Sequence, residues 1–331
     1  MSSGCYILGM LAPRLKAGSH VRIITPSSSL SSPFFTEEAK KRGLEALTAL
    51  GLTVSIGEHA YEMDDFGSSS IEQRLHDLHA AFADDSVNMV LCARGGWNAN
   101  QLLRQIDYDL IKKHPKILCG FSDITALGTA IFTQTGLVTY SGPNFSTFGR
   151  VPCAAYIREA FRTCLFTDEA YDVTPSKMYC PAVTSDEELP TVGPIVLHEG
   201  EATGQLLGGN LCTLSLLQGT EYFPDIRNSI LFIEDDHEAL PRGFDRDLQS
   251  LIHQPGFESV RALVIGRFET GTGMTPSLLE QIIETKPELK GMPVIANADI
   301  GHTLPMITFP VGGSAELKAS KEGMELRILR H

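Results

Sequence analysis

The sequence has no apolar run approaching the 18 or so residues of a membrane-crossing helix, and no transmembrane segment is expected. Basic residues are scarce: 27 Lys and Arg stand against 40 Asp and Glu, a net charge of −13. Such a surface repels phosphate backbones, which excludes nucleic acid as an expected partner but not a small nucleotide-bearing ligand. No basic residue precedes the apolar patch Cys5 to Pro13, whereas Arg14 and Lys16 follow it, the reverse of a secretory signal. The seven cysteines form no C-x-x-C pair, so reduced, mostly buried thiols and a cytoplasmic location are expected. Several motifs are missing too. No G-x-G-x-x-G follows the first strand, no G-x-x-x-x-G-K-[ST] occurs, and His198-Glu199 lacks the second histidine of H-E-x-x-H. Dinucleotide, P-loop and zinc-protease readings fall away.

What is present fits a soluble enzyme. Apolar residues make 43% and charged residues 20% of 331 positions, enough chain for two domains. Up to about Phe145 the pattern alternates. Strands are expected at His20 to Thr25, Leu52 to Ile56, Val87 to Cys92, Lys116 to Gly120 and Leu137 to Tyr140. Helices are expected at Thr36 to Leu50, Ser70 to Phe82, Asn98 to Ile106 and Asp123 to Thr133. Short connections between such units imply a parallel sheet with helices on both faces. The stretch 167–193 is rich in Asp, Glu, Pro, Ser and Thr and reads as a linker between a domain 1–166 and a domain 194–331. Beyond it, a helix from Leu211 to Leu217 and strands at Ser229 to Glu234, Arg261 to Ile265, Met292 to Ala296 and Glu325 to Leu329 suggest a second, α+β domain.

Chemistry concentrates at strand ends. In Cys119-Gly120-Phe121-Ser122-Asp123 a buried strand turns at once into a helix, which would present the Ser122 hydroxyl at the positive helix end. The residue two places after Ser122 is Ile124 rather than the usual glycine, and by pattern alone helix capping is the commoner role for such a serine. One βα unit earlier, Arg94-Gly95-Gly96-Trp97-Asn98 ends another strand at the same expected edge. Cys119 lies inside its strand, where a thiol is inert. His76 and His79 suit an exposed helical face, and Asp235-Asp236-His237-Glu238 reads as a solvated acidic turn.

The segments RGGWNANQLL, IDYDLIKKHPKILCGFSDITAL, TGLVTYSGPNFSTFG, GQLLGGNLCTL, SILFIEDDHE and NADIGHTLPMITFPVGG together resemble the LD-carboxypeptidase family of serine peptidases, which includes the microcin C immunity peptidases. The resemblance spans nearly the whole chain in order. It implies a Rossmann-like N-terminal domain, a smaller β-rich C-terminal domain, a cleft between them and a homodimer. It also implies Ser122 as nucleophile, His302 as base and Glu234 as the acid that orients it. The same resemblance implies an oxyanion hole formed by the Gly96 and Asp123 N–H groups, and a place for Asn210 near the ligand. No metal or organic cofactor is implied. Trp97-Asn98 and SGPNFSTFG look closer to the immunity branch, which cleaves an amide joining a carboxy-terminal aminoacyl group to a modified nucleotide. The alternative substrate is a murein tetrapeptide that loses its terminal D-alanine, and a catalytically inactive binding protein is the remaining alternative. Some immunity members stack the base on loop tryptophans. This sequence has none there, which leaves Tyr171 and Tyr179 as candidates.

Overall fold

The computed structural model describes residues 9–182 and 184–331; Cys5 and the start of the N-terminal apolar patch, up to residue 8, lie outside them. Strands β1 (His20–Ile24), β2 (Thr53–Ile56), β3 (Met89–Cys92), β4 (Ile117–Gly120) and β5 (Thr139–Ser141) pair in parallel in the order β5-β4-β3-β1-β2. Every residue of β3 and β4 is buried, as expected of strands covered on both faces. The crossovers include helices Glu37–Ala49, Ile71–Ala83 and Ile124–Thr135. Ser70 starts the second of these with a reciprocal cap: its side chain accepts from the Gln73 N–H, and the Gln73 side chain accepts from the Ser70 N–H. The segment after β3 winds as a 3₁₀ helix, Ala99–Gln105, instead of an α-helix. Right-handed βα repetition places the ends of β1, β3 and β4 along one edge.

The stretch 167–193 carries more order than its composition suggests. It contains β6 (Tyr171–Asp172) and a small hairpin of β7 (Met178–Tyr179) and β8 (Leu189–Pro190). Then come β9 (Ile195–His198), β10 (Gly200–Asn210), β11 (Ser229–Glu234), β12 (Ala262–Gly266) and β13 (Val294–Ala298). After these follow β14 (Phe309–Val311), β15 (Ser314–Ser320) and β16 (Gly323–Arg330). Eight of these strands form a second sheet, ordered β6-β16-β15-β10-β11-β12-β13-β9, whose core β10 to β13 is parallel. In register, Asn210 stands opposite Glu234, so β10 and β11 end together.

Two features join the sheets. Strand β14 leaves the second sheet's stretch of chain and pairs antiparallel with β5, matching Phe309 to Ser141 and Val311 to Thr139. The Asn210 N–H donates to Thr125 Oγ1 at 3.0 Å, which pins the end of β10 to the helix that begins just after Ser122. The ends of the two parallel sheets therefore meet. Among the described residues no helix is long and apolar enough to cross a membrane.

Candidate active site

The chain leaves β4 at Gly120 and reaches Ser122 with φ at 66°, in the left-handed region. For a serine this costs on the order of 1–2 kcal/mol, so the surroundings must impose it. Two contacts do so: the Phe121 N–H donates to Asn144 Oδ1 at 3.2 Å, and the Thr125 N–H donates to the Ser122 carbonyl at 2.8 Å. Room for the turn comes from Gly95. A Cβ there would stand 2.7 Å from Ser122 Cβ and 2.8 Å from its Oγ.

His302 and Glu234 approach from the second sheet. Glu234 is the last residue of β11 and His302 follows β13 in a loop; both are buried. His302 Nε2 lies 3.0 Å from Ser122 Oγ, and His302 Nδ1 lies 2.7 Å from Glu234 Oε2. With the carboxylate accepting, Nδ1 carries the proton and Nε2 is left to accept from the serine hydroxyl. Burial pulls the imidazole pKa down, but the charge and hydrogen bond of Glu234 outweigh it, with smaller contributions from Asp236 and Glu269, and hold it above the ordinary value. The close fit around Glu234 depends on Gly301 (φ 99°), where a Cβ would meet Glu234 Oε2 at 2.5 Å.

The remaining predicted residues divide into those at Ser122 and those that brace its loop. Within the described chain no acceptor takes the Gly96 or Asp123 N–H. The Asp123 carboxylate turns inward and accepts from the Ala99 N–H at 2.9 Å and from Ser27 Oγ at 2.7 Å, tying the loops after β1, β3 and β4 into one knot. Asn98 belongs to the same knot. Its amide donates to Ser68 Oγ at 2.6 Å and its oxygen accepts from Arg74 at 3.2 Å. Ser27 and Arg74 were not distinguishable in the sequence from an ordinary turn serine and an ordinary helix arginine. Trp97 projects into solvent, 66% exposed.

Asn210 is 1% exposed and caps the helix Leu211–Ser215, accepting from the Thr213 N–H at 3.0 Å while its amide donates to Asp235 at 3.4 Å. Tyr171 packs against the core, edge-on to His331 with ring centroids 5.0 Å apart, and its hydroxyl donates to the Thr308 carbonyl at 3.5 Å. Tyr179 lies beneath the Arg267 guanidinium, 5.1 Å from its ring centre, at an open cavity of about 260 Å³ that Arg267, Asn297 and Thr191 also line.

Two further groups depart from expectation. Asp235 is buried rather than solvated; burial first, then Glu234 and Asp236, push its carboxyl up to about 7. Asp77 is also buried, beneath His59 and His76, and accepts from the His59 ring at 2.9 Å. Cys119 is buried in β4, where burial and the neighbouring thiols raise its pKa well above the ordinary value, which keeps it a thiol. Arg94, beside the nucleophile loop, is half-buried with its guanidinium 4.1 Å above the Phe34 ring. No hydrogen-bond or ion-pair partner for it exists among the described residues.

The whole arrangement has close relatives. Residues 21–142 match the LD-carboxypeptidase N-terminal domain and residues 203–317 the LD-carboxypeptidase C-terminal domain. YocD of Bacillus subtilis (strain 168) is 50% identical over 97% of this chain and 100% of its own length. The crystal structure of an MccF-like protein from Bacillus anthracis str. Ames has a TM-score of 0.94 at 44% identity, covering 97% of this chain and 100% of that one. The microcin C7 self-immunity protein MccF of Escherichia coli is 30% identical over 92% of this chain and 91% of its own. In its complex with aspartyl sulfamoyl adenosine, MccF has a TM-score of 0.87 at 26% identity, over 97% of this chain and 99% of that one. Two matched domains in order, an α/β fold shared end to end and half of all residues identical to one relative leave one assignment: the chain belongs to the LD-carboxypeptidase family.

Proposed function

We propose that the protein is a serine hydrolase that cleaves an amide at the carboxyl-terminal end of a small peptide or peptide conjugate. One observation carries this reading, the continuous row from Ser122 Oγ through His302 to Glu234. A serine hydroxyl is a weak nucleophile until a base removes its proton, and a fixed carboxylate keeps the imidazole in the tautomer that can do so. Ser122 Oγ attacks the carbonyl carbon while its proton passes to His302 Nε2. The oxyanion is held by the Gly96 and Asp123 N–H groups, whose positions at a glycine turn and a helix start suit this role. His302 then protonates the departing amine. Water, deprotonated by the same imidazole, hydrolyses the acyl-serine and restores the hydroxyl. None of these steps calls for a metal or an organic cofactor.

A second substrate reading, an aminoacyl-nucleotide amide, is favoured by the exposed indole of Trp97, next in sequence to Gly96, and by the likeness to MccF. The packed ring of Tyr171 weighs against its use as the stacking platform, and Arg267 already covers one face of Tyr179. The deciding experiment compares kcat/KM for an L,D-tetrapeptide ending in D-alanine and for aspartyl sulfamoyl adenosine, with wild type and with Ser122→Ala. The variant is expected to lose about 10⁶ in kcat while keeping its melting temperature. A variant that retains a tenth of the rate rules out Ser122 as nucleophile.

A further inference from the structure

A substrate with a free carboxyl terminus brings a negative charge into a site that is already acidic. Glu234, Asp236 and Glu269 all act electrostatically on His302, and the chain as a whole carries −13. A cation on the nucleophile's side would offset that repulsion. The arginines near these loops differ in one respect. Arg150 is paired with Asp186 at 2.9 Å and with the Ser185 carbonyl, and Arg267 is paired with buried Asp299 at 2.7 Å. Among the described residues Arg94 has neither an acid nor a carbonyl to bind.

Its position is informative. Arg94 immediately precedes Gly95, where an added Cβ would stand 2.8 Å from Ser122 Oγ, and lies two places before the Gly96 N–H. The Phe34 ring holds one face of the guanidinium at 4.1 Å, and none of the guanidinium nitrogens is both sealed from solvent and unpartnered. A guanidinium stacked on an aromatic ring is oriented in advance and leaves its in-plane N–H fork free, the geometry that binds a carboxylate through two parallel hydrogen bonds. The Arg94 nitrogens stay open to solvent and so remain within reach of an incoming carboxylate.

We propose that Arg94 binds the free carboxylate of the substrate's terminal residue, which makes the protein selective for peptides with an unblocked carboxyl terminus. The inference rests on Ser122 being the site of reaction, but it can be tested without turnover. In a Ser122→Ala background, calorimetry would compare the L,D-tetrapeptide ending in D-alanine with the same peptide ending in a carboxamide. The free acid is expected to bind at least tenfold tighter, about 1.4 kcal/mol. Adding Arg94→Ala should erase the preference, while Arg94→Lys, which keeps the charge but loses the fork, should keep part of it. Melting curves of both double variants separate loss of binding from loss of fold. Equal binding of acid and amide, absence of measurable binding of both, or a preference that survives Arg94→Ala would overturn the proposal. Wild-type hydrolysis of the tetrapeptide reports separately on the reaction itself.

Discussion

The two sheet edges that meet at Ser122 and His302 are built in different ways. On the first, the participants are near neighbours in topology: Gly96 and Ser122 end adjacent parallel strands, and the Asp123 carboxylate with Ser27 and Ala99 fastens their loops together. On the second, Glu234 and His302 lie 68 residues apart, and an imidazole held above its ordinary pKa is fixed by one carboxylate. The first edge is a mould for the backbone, whereas the second is an electrostatic device. Their variants should fail differently, through geometry on one side and through protonation on the other.

The largest effect should come where the two edges meet. His302→Ala added to Ser122→Ala is expected to be no slower than Ser122→Ala alone, because neither group acts without the other. Measured turnover that falls by a further large factor would show that the two do not work as one unit. Next is Glu234→Gln, expected to cost about 10⁴ in kcat by analogy with removal of a triad carboxylate. It should also move the pH profile. His302 must be neutral to act, so the wild-type rate is lost as pH falls through a value above the ordinary 6.5, and without Glu234 that limb should move to lower pH. An unmoved limb would mean that Glu234 does not set the imidazole's protonation.

Gly95→Ala tests the mould. The added methyl overlaps Ser122 Cβ, and the readjustment should cost about 1–3 kcal/mol in stability together with most of the activity, leaving the pH limb in place. A shifted limb would break the distinction between the two edges. The smallest effect is expected at Asp235. Its carboxyl titrates near 7 when folded and near 3.8 when unfolded, so the folded chain binds the proton more tightly. Stability is therefore greatest below the unfolded value and is lost as pH rises through about 7. Asp235→Asn should raise the melting temperature relative to wild type more at pH 8 than at pH 5, and an equal change at both would place the titration elsewhere.

The mould was the more legible half. Buried β-branched strands, Gly51 at a helix end, and the Gly-x-Ser junction are local signals, and the first five strands fall within two residues of their expected starts and ends. The second half hid its order for physical reasons. Strand β10 contains four glycines in eleven residues, so no alternating apolar pattern marks it. Strands β6 to β8 have two residues each, too short for a pattern to show, and β6 owes its pairing to the distant β16. Asp235 reads as a surface acid beside Asp236 and Glu238 because nothing local reveals that Asn210 reaches it across from β10. The Ser122, Glu234 and His302 positions came from family resemblance; their mutual distances could come only from the folded chain.

The return of β14 to the first sheet has a practical consequence. The first half of the chain, expressed alone, would expose the edge of β5, an open row of N–H and C=O groups that invites self-association. The second half alone would carry three stranded residues with no ladder to join. Further stitches bind the chain's extremes: the Arg14 guanidinium donates to the His331 carbonyl, and the His331 ring lies 2.6 Å from the Cys164 carbonyl. Admitting a ligand by parting the halves would therefore first require tearing a strand from its sheet.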